Sequence, residues 1–513
     1  MATREGENTS ATTPGRPTRR PLRRPAGAAL LAAALLACGC GGNGGQSGCK
    51  TPIRADESWP NILLISVDTL RPDHLGCYGY GRDTSPNIDR LAAEGTLFEN
   101  AVSSTSWTLP AHAALFTGLA DSVHGCIEMD RRLDDSRTTL AERLRGVGYA
   151  TAGFFSGPAL HPVFGLAQGF DKYVDCTSYA DVTVRVLSAG QSLDGGVVES
   201  RSNADVTSPR VCEQVQTWLT ENKRRPFFLF VHFWDPHFDF VPPPPYDRRF
   251  DPDYSGHITG ENFLIDPAIS PHMARRDLEH IVALYDGEIA WTDEHIGRVL
   301  AAVDALGLRE RTVVMLLSDH GEEFFEHGRK GHRQTLFDEV IRIPLIVRFP
   351  GRVPAGRRCA EQARLIDVAP TILELAGLPA APDMMGHSLV PLLAGKPPPD
   401  DTLAVSELLS AGRELRSYRR PDRKLIYNEQ TKGSLVFDLR SDPGEQSPLS
   451  DGSHPLALLL AEDMRRSLRR LDEFRAELPA RVSRPQLPEN VLRQLQSLGY
   501  IGAADKDGSD QTP

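Results

Sequence analysis

Asp68, Thr108, Asp319 and His320 are residue types that can cleave an ester together with a divalent metal ion, and each stands where such chemistry is usually placed. Asp68 ends the apolar run Ile62–Val67 in NILLISVDTL. Thr108 precedes Pro110 in SWTLPAHAALFTG, where an amphipathic helix is expected to begin. A strand's carboxyl end and a helix N-terminus both border the ligand crevice of an open α/β sheet, and the helix end favours negative charge. Two further apolar strands end in the same way. FFLFVHFWDPH delivers Asp235 and His237, and TVVMLLSDHG delivers Asp319 and His320. Carboxylate oxygens and an imidazole suit Zn²⁺, Mn²⁺ or a similar divalent ion. Any one of these aspartates serves equally well as a helix cap or turn acceptor; the joint pattern is what points to a site.

The elements that must hold these groups are α/β in pattern. The runs Ile62–Val67, Phe227–Phe233, Thr312–Leu317 and Ile343–Phe349 are rich in β-branched and aromatic residues without strict alternation, as strands covered on both faces read. Helical patterns lie between them: one opens at Ser85-Pro86 with a cap and first-turn proline and closes at Gly95, and another runs from Asp367 to Ala376. We therefore expect an α/β fold with a mainly parallel central sheet flanked by helices, and a smaller C-terminal α+β subdomain. The expected division is a catalytic domain over 59–395, the α+β subdomain over 402–480 after the break at Lys396–Pro399, and a partly disordered tail over 481–513. Residues 171–210 read as a polar surface excursion.

The first 37 residues read as an export signal. Arg16, Arg19, Arg20, Arg23 and Arg24 precede the apolar stretch Ala26–Ala37, which is too short to span a bilayer, since that takes about 20 residues. Leu35-Leu36-Ala37-Cys38 resembles a lipoprotein processing box, which makes Cys38 the expected lipid-bearing residue and 38–58 a flexible tether. The expected location is the periplasm or cell surface of a bacterium, membrane-anchored through Cys38. A net charge of −11 argues against a nucleic-acid surface. The remaining cysteines show no metal-type spacing and do not fix a disulfide pattern.

The segments around Asp68 and Asp319-His320-Gly321, the run IRIPLIVRFPG (341–351) and LIYNEQTKGSLVFDLRSDPGEQ (425–446) resemble the sulfatase-like branch of the alkaline phosphatase superfamily, over roughly residues 59 to 450. The resemblance implies a metal-dependent hydrolase of sulfate or phosphate esters, acting on a substrate such as an envelope or extracellular glycan or lipid. One departure matters. Formylglycine sulfatases carry Cys or Ser at the start of C-x-P-S-R, whereas the aligned run here is Thr108-Leu109-Pro110-Ala111-His112. Oxidising threonine would give a ketone and not the aldehyde those enzymes need. The chain resembles instead those superfamily members that use an unmodified Thr on phosphorus esters; the resemblance implies that their metal ligands map onto Asp68, Thr108, Asp319 and His320, with Mn, Zn or Ca as the expected ion.

The resemblance also places a site histidine at His237, as a second-metal ligand or leaving-group acid, and puts His332 and Arg333 near the family's active-site basic residue. Arg333 is expected to grip a nonbridging oxygen. His112, one turn past Thr108, is expected either to contact a substrate oxygen or to pack in the helix. His327 and Lys330 read as solvated loop residues, and Asp286 and Asp293 as caps or ion-pair partners. The leading expectation is a phosphate- or phosphonate-type ester hydrolase. The alternatives are a sulfuric ester hydrolase without formylglycine, a transferase of phospho-substituents, and a catalytically inactive surface glycan-binding protein. Substrate choice is expected to reside in the loops at 121–135, 171–210 and 240–275.

Overall fold

The computed structural model describes residues 58–177, 207–398, 402–410, 412–449, 454–478 and 482–501. The expected export signal, Cys38, the expected tether up to residue 57, most of the expected 171–210 excursion and residues 502–513 lie outside the described residues. Among the described residues no helix is long and apolar enough to cross a membrane.

Ten strands come first along the chain: β1 (Asn61–Val67), β2 (Thr96–Val102), β3 (Ala150–Phe155), β4 (Lys172–Asp175), β5 (Phe227–Phe233), β6 (Thr312–Ser318), β7 (Glu323–Phe324), β8 (Lys330–Gly331), β9 (Arg342–Arg348) and β10 (Arg357–Arg364). Strands β7 and β8 form a small hairpin. The other eight form one sheet in the order β10-β2-β9-β6-β1-β5-β3-β4. Only β9 runs antiparallel to its neighbours, β2 and β6. The expected mainly parallel sheet is therefore present, and β1, β5 and β6 are buried along their whole length. Burial on both faces explains why these three strands read as continuous apolar runs.

Two apolar layers sandwich the sheet. One contains Ile62, Leu64, Phe228 and Phe230 with the helix Thr108–Thr117; the other contains Leu63, Ile65, Leu229 and Val231 with the helices Ser208–Asn222 and Arg275–Ala305. The alternation along β1 and β5 follows the two-residue period of a strand. The helix Thr108–Thr117 differs from the sequence reading: all ten of its residues are buried, so it is a core helix with no solvent face. A separate four-stranded antiparallel sheet follows, with order Ala404–Ser410, Arg413–Arg420, Arg423–Asn428, Ser434–Asp438, and the helix Pro455–Glu477 packs on it.

The helix Pro86–Ala93 begins where expected, but Ser85 does not cap it. The Ser85 hydroxyl donates to Asp89, and the first-turn N–H groups of Asn87 and Ile88 donate instead to Asp293, at 3.0 and 2.8 Å, from the long helix. Asp286 on the same helix accepts from His74, Tyr80 and Arg82. Both aspartates are thus the structural partners expected of them. Asp293→Ala strands one buried and one half-buried donor, and we expect it to lower stability by about 2 kcal/mol. Urea unfolding checks this; a loss under about 0.5 kcal/mol would remove the capping role.

Candidate active site

Parallel pairing sets the level of the site. Val67 of β1 lies opposite Ser318 of β6 and Phe233 of β5, so the residues that follow, Asp68, Asp319 and Trp234, emerge side by side. The Ser318 hydroxyl lies 2.7 Å from the Val67 carbonyl and 2.6 Å from the His320 carbonyl, and it accepts from Leu70 N–H. It ties the ends of β1 and β6 together. Thr108 enters from the first turn of the core helix. Its Oγ1 lies 3.4 Å from Asp68 Oδ2 and 3.3 Å from His320 Nε2. His320 Nε2 in turn lies 3.5 Å from Asp68 Oδ1 and 3.5 Å from Asp319 Oδ2. The four residues expected as ligands are therefore in one place, each at most 3 % exposed.

This cluster fits a divalent cation on its own chemistry. Asp68 Oδ1 and Asp319 Oδ2 are buried without a hydrogen-bond partner, which is costly for carboxylate oxygens unless a positive charge faces them. His320 Nδ1–H donates to the Gly321 carbonyl at 2.9 Å, so its Nε2 lone pair points at the two carboxylates. A backbone acceptor fixing the imidazole tautomer is the usual support of a metal-binding histidine. Asp68, Asp319 and His320 are one of three groups among the described residues whose donor atoms are close enough to share an ion.

Electrostatics agree. Burial, with Asp319 and Glu322 close by, pushes the Asp68 carboxyl well above its usual range, and burial pushes Asp319 up to about 6. Burial pushes His320 down to about 4, so the imidazole is neutral and its lone pair available. Metal uptake requires both carboxylates ionised. Mn²⁺ affinity is therefore expected to fall as pH drops through about 6, by at least roughly tenfold per pH unit below it, since Asp68 is raised as well. Calorimetric titration at pH 7.5 and 5.0 checks this, and equal affinities would take Asp319 out of the ligand set.

A second histidine layer, not anticipated from the sequence, lies beneath. His232, inside β5, donates from Nδ1 to the Ser156 carbonyl at 3.0 Å, which leaves Nε2 3.6 Å from Asp68 Oδ2. Its only sequence signal was a polar residue inside the otherwise apolar FFLFVHF. The expected oxygen contact by His112 is corrected. His112 is fully buried; its Nδ1–H donates to the Thr108 carbonyl at 2.9 Å, and its Nε2 accepts from the Ser66 hydroxyl at 3.1 Å. It braces the turn that carries Thr108 and has no nitrogen left for a substrate. Asp235 is also turned away, accepting from the Thr207 and Ser208 N–H groups at the start of the helix Ser208–Asn222 and from Trp291.

His237 and His332 do meet at the site. Their Nε2 atoms lie 3.1 and 2.8 Å from a shared oxygen, the Tyr500 hydroxyl. His237 Nδ1–H donates to the Phe238 carbonyl, and His332 Nδ1 lies 3.1 Å from buried Glu322. Burial pushes His237 down to about 3 and His332 well below the ordinary imidazole value, with His320 adding to both. The Arg333 side chain is largely buried, and its fork is already engaged with Ser410, Glu128 and the Tyr500 carbonyl. The structure thus gives it different partners from the nonbridging oxygen expected of it. His327 and Lys330 are not solvated: His327 stacks on Phe337 and pairs with Glu339, while Lys330 donates to the Asp266 and Ile269 carbonyls. The five described cysteines, Cys77, Cys126, Cys176, Cys212 and Cys359, are all free thiols.

Comparison with known proteins places this geometry in a group. The family model described as Sulfatase matches residues 60–378, and a second, N-sulphoglucosamine sulphohydrolase, C-terminal, matches residues 326–473. The ulvan-active sulfatase of Formosa agariphila is 28% identical over 444 residues, covering 82% of each chain. A multifunctional alkaline phosphatase superfamily protein of Trinickia caryophylli is 30% identical over 409 residues, covering 66% of this chain and 78% of the relative. The crystal structure of the phosphonate monoester hydrolase of Agrobacterium radiobacter superposes with a TM-score of 0.65 at 24% identity, covering 82% of this chain and 96% of that one.

Proposed function

The chain belongs to the sulfatase family and is a hydrolase of sulfuric or phosphoric esters; within that family we propose that unmodified Thr108 is its nucleophile and a phosphate- or phosphonate-type ester its substrate. The observation that carries this is Thr108 Oγ1, set between Asp68 Oδ2 and His320 Nε2 beside two unpartnered carboxylate oxygens. Asp68, Thr108, Asp319 and His320 would hold a divalent cation, which supplies charge neutralisation and makes an otherwise very weakly acidic hydroxyl reactive at neutral pH.

With His320 Nε2 committed to the cation, the threonine proton has one acceptor in reach, Asp68 Oδ2 at 3.4 Å. In-line attack forms an Oγ–phosphorus bond and breaks the bond to the leaving oxygen, which takes up a proton as the alcohol departs. Water then cleaves the phosphothreonine and restores the hydroxyl. His112 and Ser66 keep the Thr108 turn in place, and the burial of all four core residues excludes bulk water from the reacting atoms. As for formylglycine chemistry, Thr108 cannot be oxidised to an aldehyde, and neither Cys77 nor Cys126 has a proline two residues on.

The sulfate ester reading is the second. It is supported by the sulfatase names of relatives such as the ulvan-active enzyme, which point to sulfated glycans. Sulfuryl and phosphoryl groups share tetrahedral geometry, so the same site accommodates either. The export signal and Cys38 support a membrane-anchored enzyme working on such material outside the cytoplasm. Purified protein lacking residues 1–49, assayed with Mn²⁺ or Zn²⁺ on nitrophenyl phosphate, phosphodiester, phosphonate and sulfate, ranks the ester classes. We expect a phosphorus ester to be preferred. Turnover of sulfate alone would replace the phosphorus reading with the second one.

A further inference from the structure

We propose that Tyr500 is a built-in occupant of the leaving-group subsite: its phenol sits where the ring alcohol of an ester substrate departs, and its segment must withdraw before that substrate binds. The inference rests on the reading of Thr108 as the reacting hydroxyl.

The segment is built to deliver this side chain. The helix Glu489–Ser497 buries Val491 and Leu495 in the core layer that holds the Thr108 helix, and Leu498 is buried on the wall of the site. Gly499 then takes a left-handed conformation, φ +73°, which turns the chain so that Tyr500 enters the site. The ring packs against Trp107, the residue before Thr108, with centroids 6.5 Å apart and planes 28° from parallel. The Arg333 guanidinium lies 4.4 Å from the Trp107 ring centre and 5.5 Å from that of Tyr500. At the inner end the hydroxyl meets His237 Nε2 and His332 Nε2. A planar ring beside an indole and a guanidinium, with an oxygen attached directly to it between two imidazoles, has the shape and chemistry of an aryl alcohol.

Space settles the order of events. The cavity shared by Asp68, Thr108, Trp234, His237 and Tyr500 admits the centre of a water-sized sphere over only about 10 Å³, close to the roughly 10–15 Å³ that a single water needs on that measure. A tetrahedral phosphoryl or sulfuryl group cannot sit beside Thr108 while Tyr500 is seated. Substrate and Tyr500 are therefore alternatives, and apparent affinity is reduced by the fraction of time the seat is open. Substrates that reproduce the ring displace Tyr500 best, which makes it a specificity-determining residue.

The test compares wild type, Tyr500→Phe and Tyr500→Ala on nitrophenyl esters, with p-cresol as a probe of the seat. Expected are a KM lowered about tenfold in Tyr500→Ala and less in Tyr500→Phe. Competitive inhibition by p-cresol is expected in Tyr500→Ala and not in wild type. Independently of turnover, saturating inorganic phosphate should speed hydrogen exchange of amides 491–500 in wild type. Thr108→Ala removes turnover and leaves that exchange response intact, so failure of the nucleophile assignment is distinguishable from failure of this one. A kcat lowered about 100-fold in Tyr500→Phe at unchanged KM would make the hydroxyl a participant in the chemistry and overturn the proposal. So would an unchanged KM in Tyr500→Ala together with exchange at 491–500 that ignores phosphate.

Discussion

Thr108→Ala is expected to lose ester hydrolysis by about four orders of magnitude or more, with the fold and metal uptake retained. The side chain is the only hydroxyl found against both Asp68 Oδ2 and His320 Nε2 among the described residues, and removing it leaves water as the sole nucleophile. The carboxylates and His320 remain to bind the ion. Thr108→Ser keeps the oxygen and frees a rotor, so it should retain activity within about 100-fold of wild type. A phosphorus ester trapped on acid quench should label the wild type and not the alanine variant. An alanine variant within tenfold of wild type would end the case for Thr108.

Asp319→Asn is expected to act in opposite directions on activity and stability. Activity falls by about three orders of magnitude, because one of the two carboxylates proposed to hold the cation has lost its charge. Metal-free stability at pH 7.5 rises instead. In the folded chain Asp319 has its pKa raised to about 6, above the unfolded value of about 3.9. A carboxyl raised in this way binds protons more tightly in the folded state, so stability falls as pH climbs from about 4 to about 6 and stays low above that. Asparagine removes the penalty, a gain of up to about 3 kcal/mol at pH 7.5 that should vanish toward pH 4. Saturating Mn²⁺ should reverse the order and make wild type the more stable. Urea unfolding with and without Mn²⁺ at both pH values checks this, and a variant less stable than wild type in every condition would refute it.

How much of this was legible in the sequence depended on whether local pattern or long-range packing placed the residue. Asp68, Asp319 and His320 could be read because each ends a fully covered strand, where a charge after an apolar run has few structural uses. Thr108 could be read because a proline follows at a helix start. His232 could not, since a histidine within an apolar strand looks like packing until its Nε2 is found facing Asp68. His112 was placed on the right helix but on an unknown face, because a helix buried all round gives no amphipathic signal. The Ser85 reading failed for a similar reason: a cap supplied by Asp293, about 200 residues away, leaves no trace in local spacing. Tyr500 was the least accessible. Its neighbourhood, SLGYIG, carries no charge or metal-binding residue, and only tertiary packing brings it to His237 and His332.

The reversed strand β9 has a bearing on how such a protein can change over time. Because β9 runs antiparallel to β6 beside it, the chain leaves the sheet after Ser318 and returns at Arg342 on the same edge of the molecule. The intervening 23 residues, which carry Asp319, His320, Glu322, His332 and Arg333, form one excursion with both feet at the reaction centre. A parallel neighbour would have required a crossover to the far side, and any change in length there would disturb the packing of a covering helix. Here the outer part of the excursion, around the β7–β8 hairpin, can lengthen, shorten or be exchanged while Asp319 and His320 stay anchored to β6. That makes it a natural point at which new ester preferences can be grafted onto an unaltered sheet, by mutation in a lineage or by loop exchange at the bench.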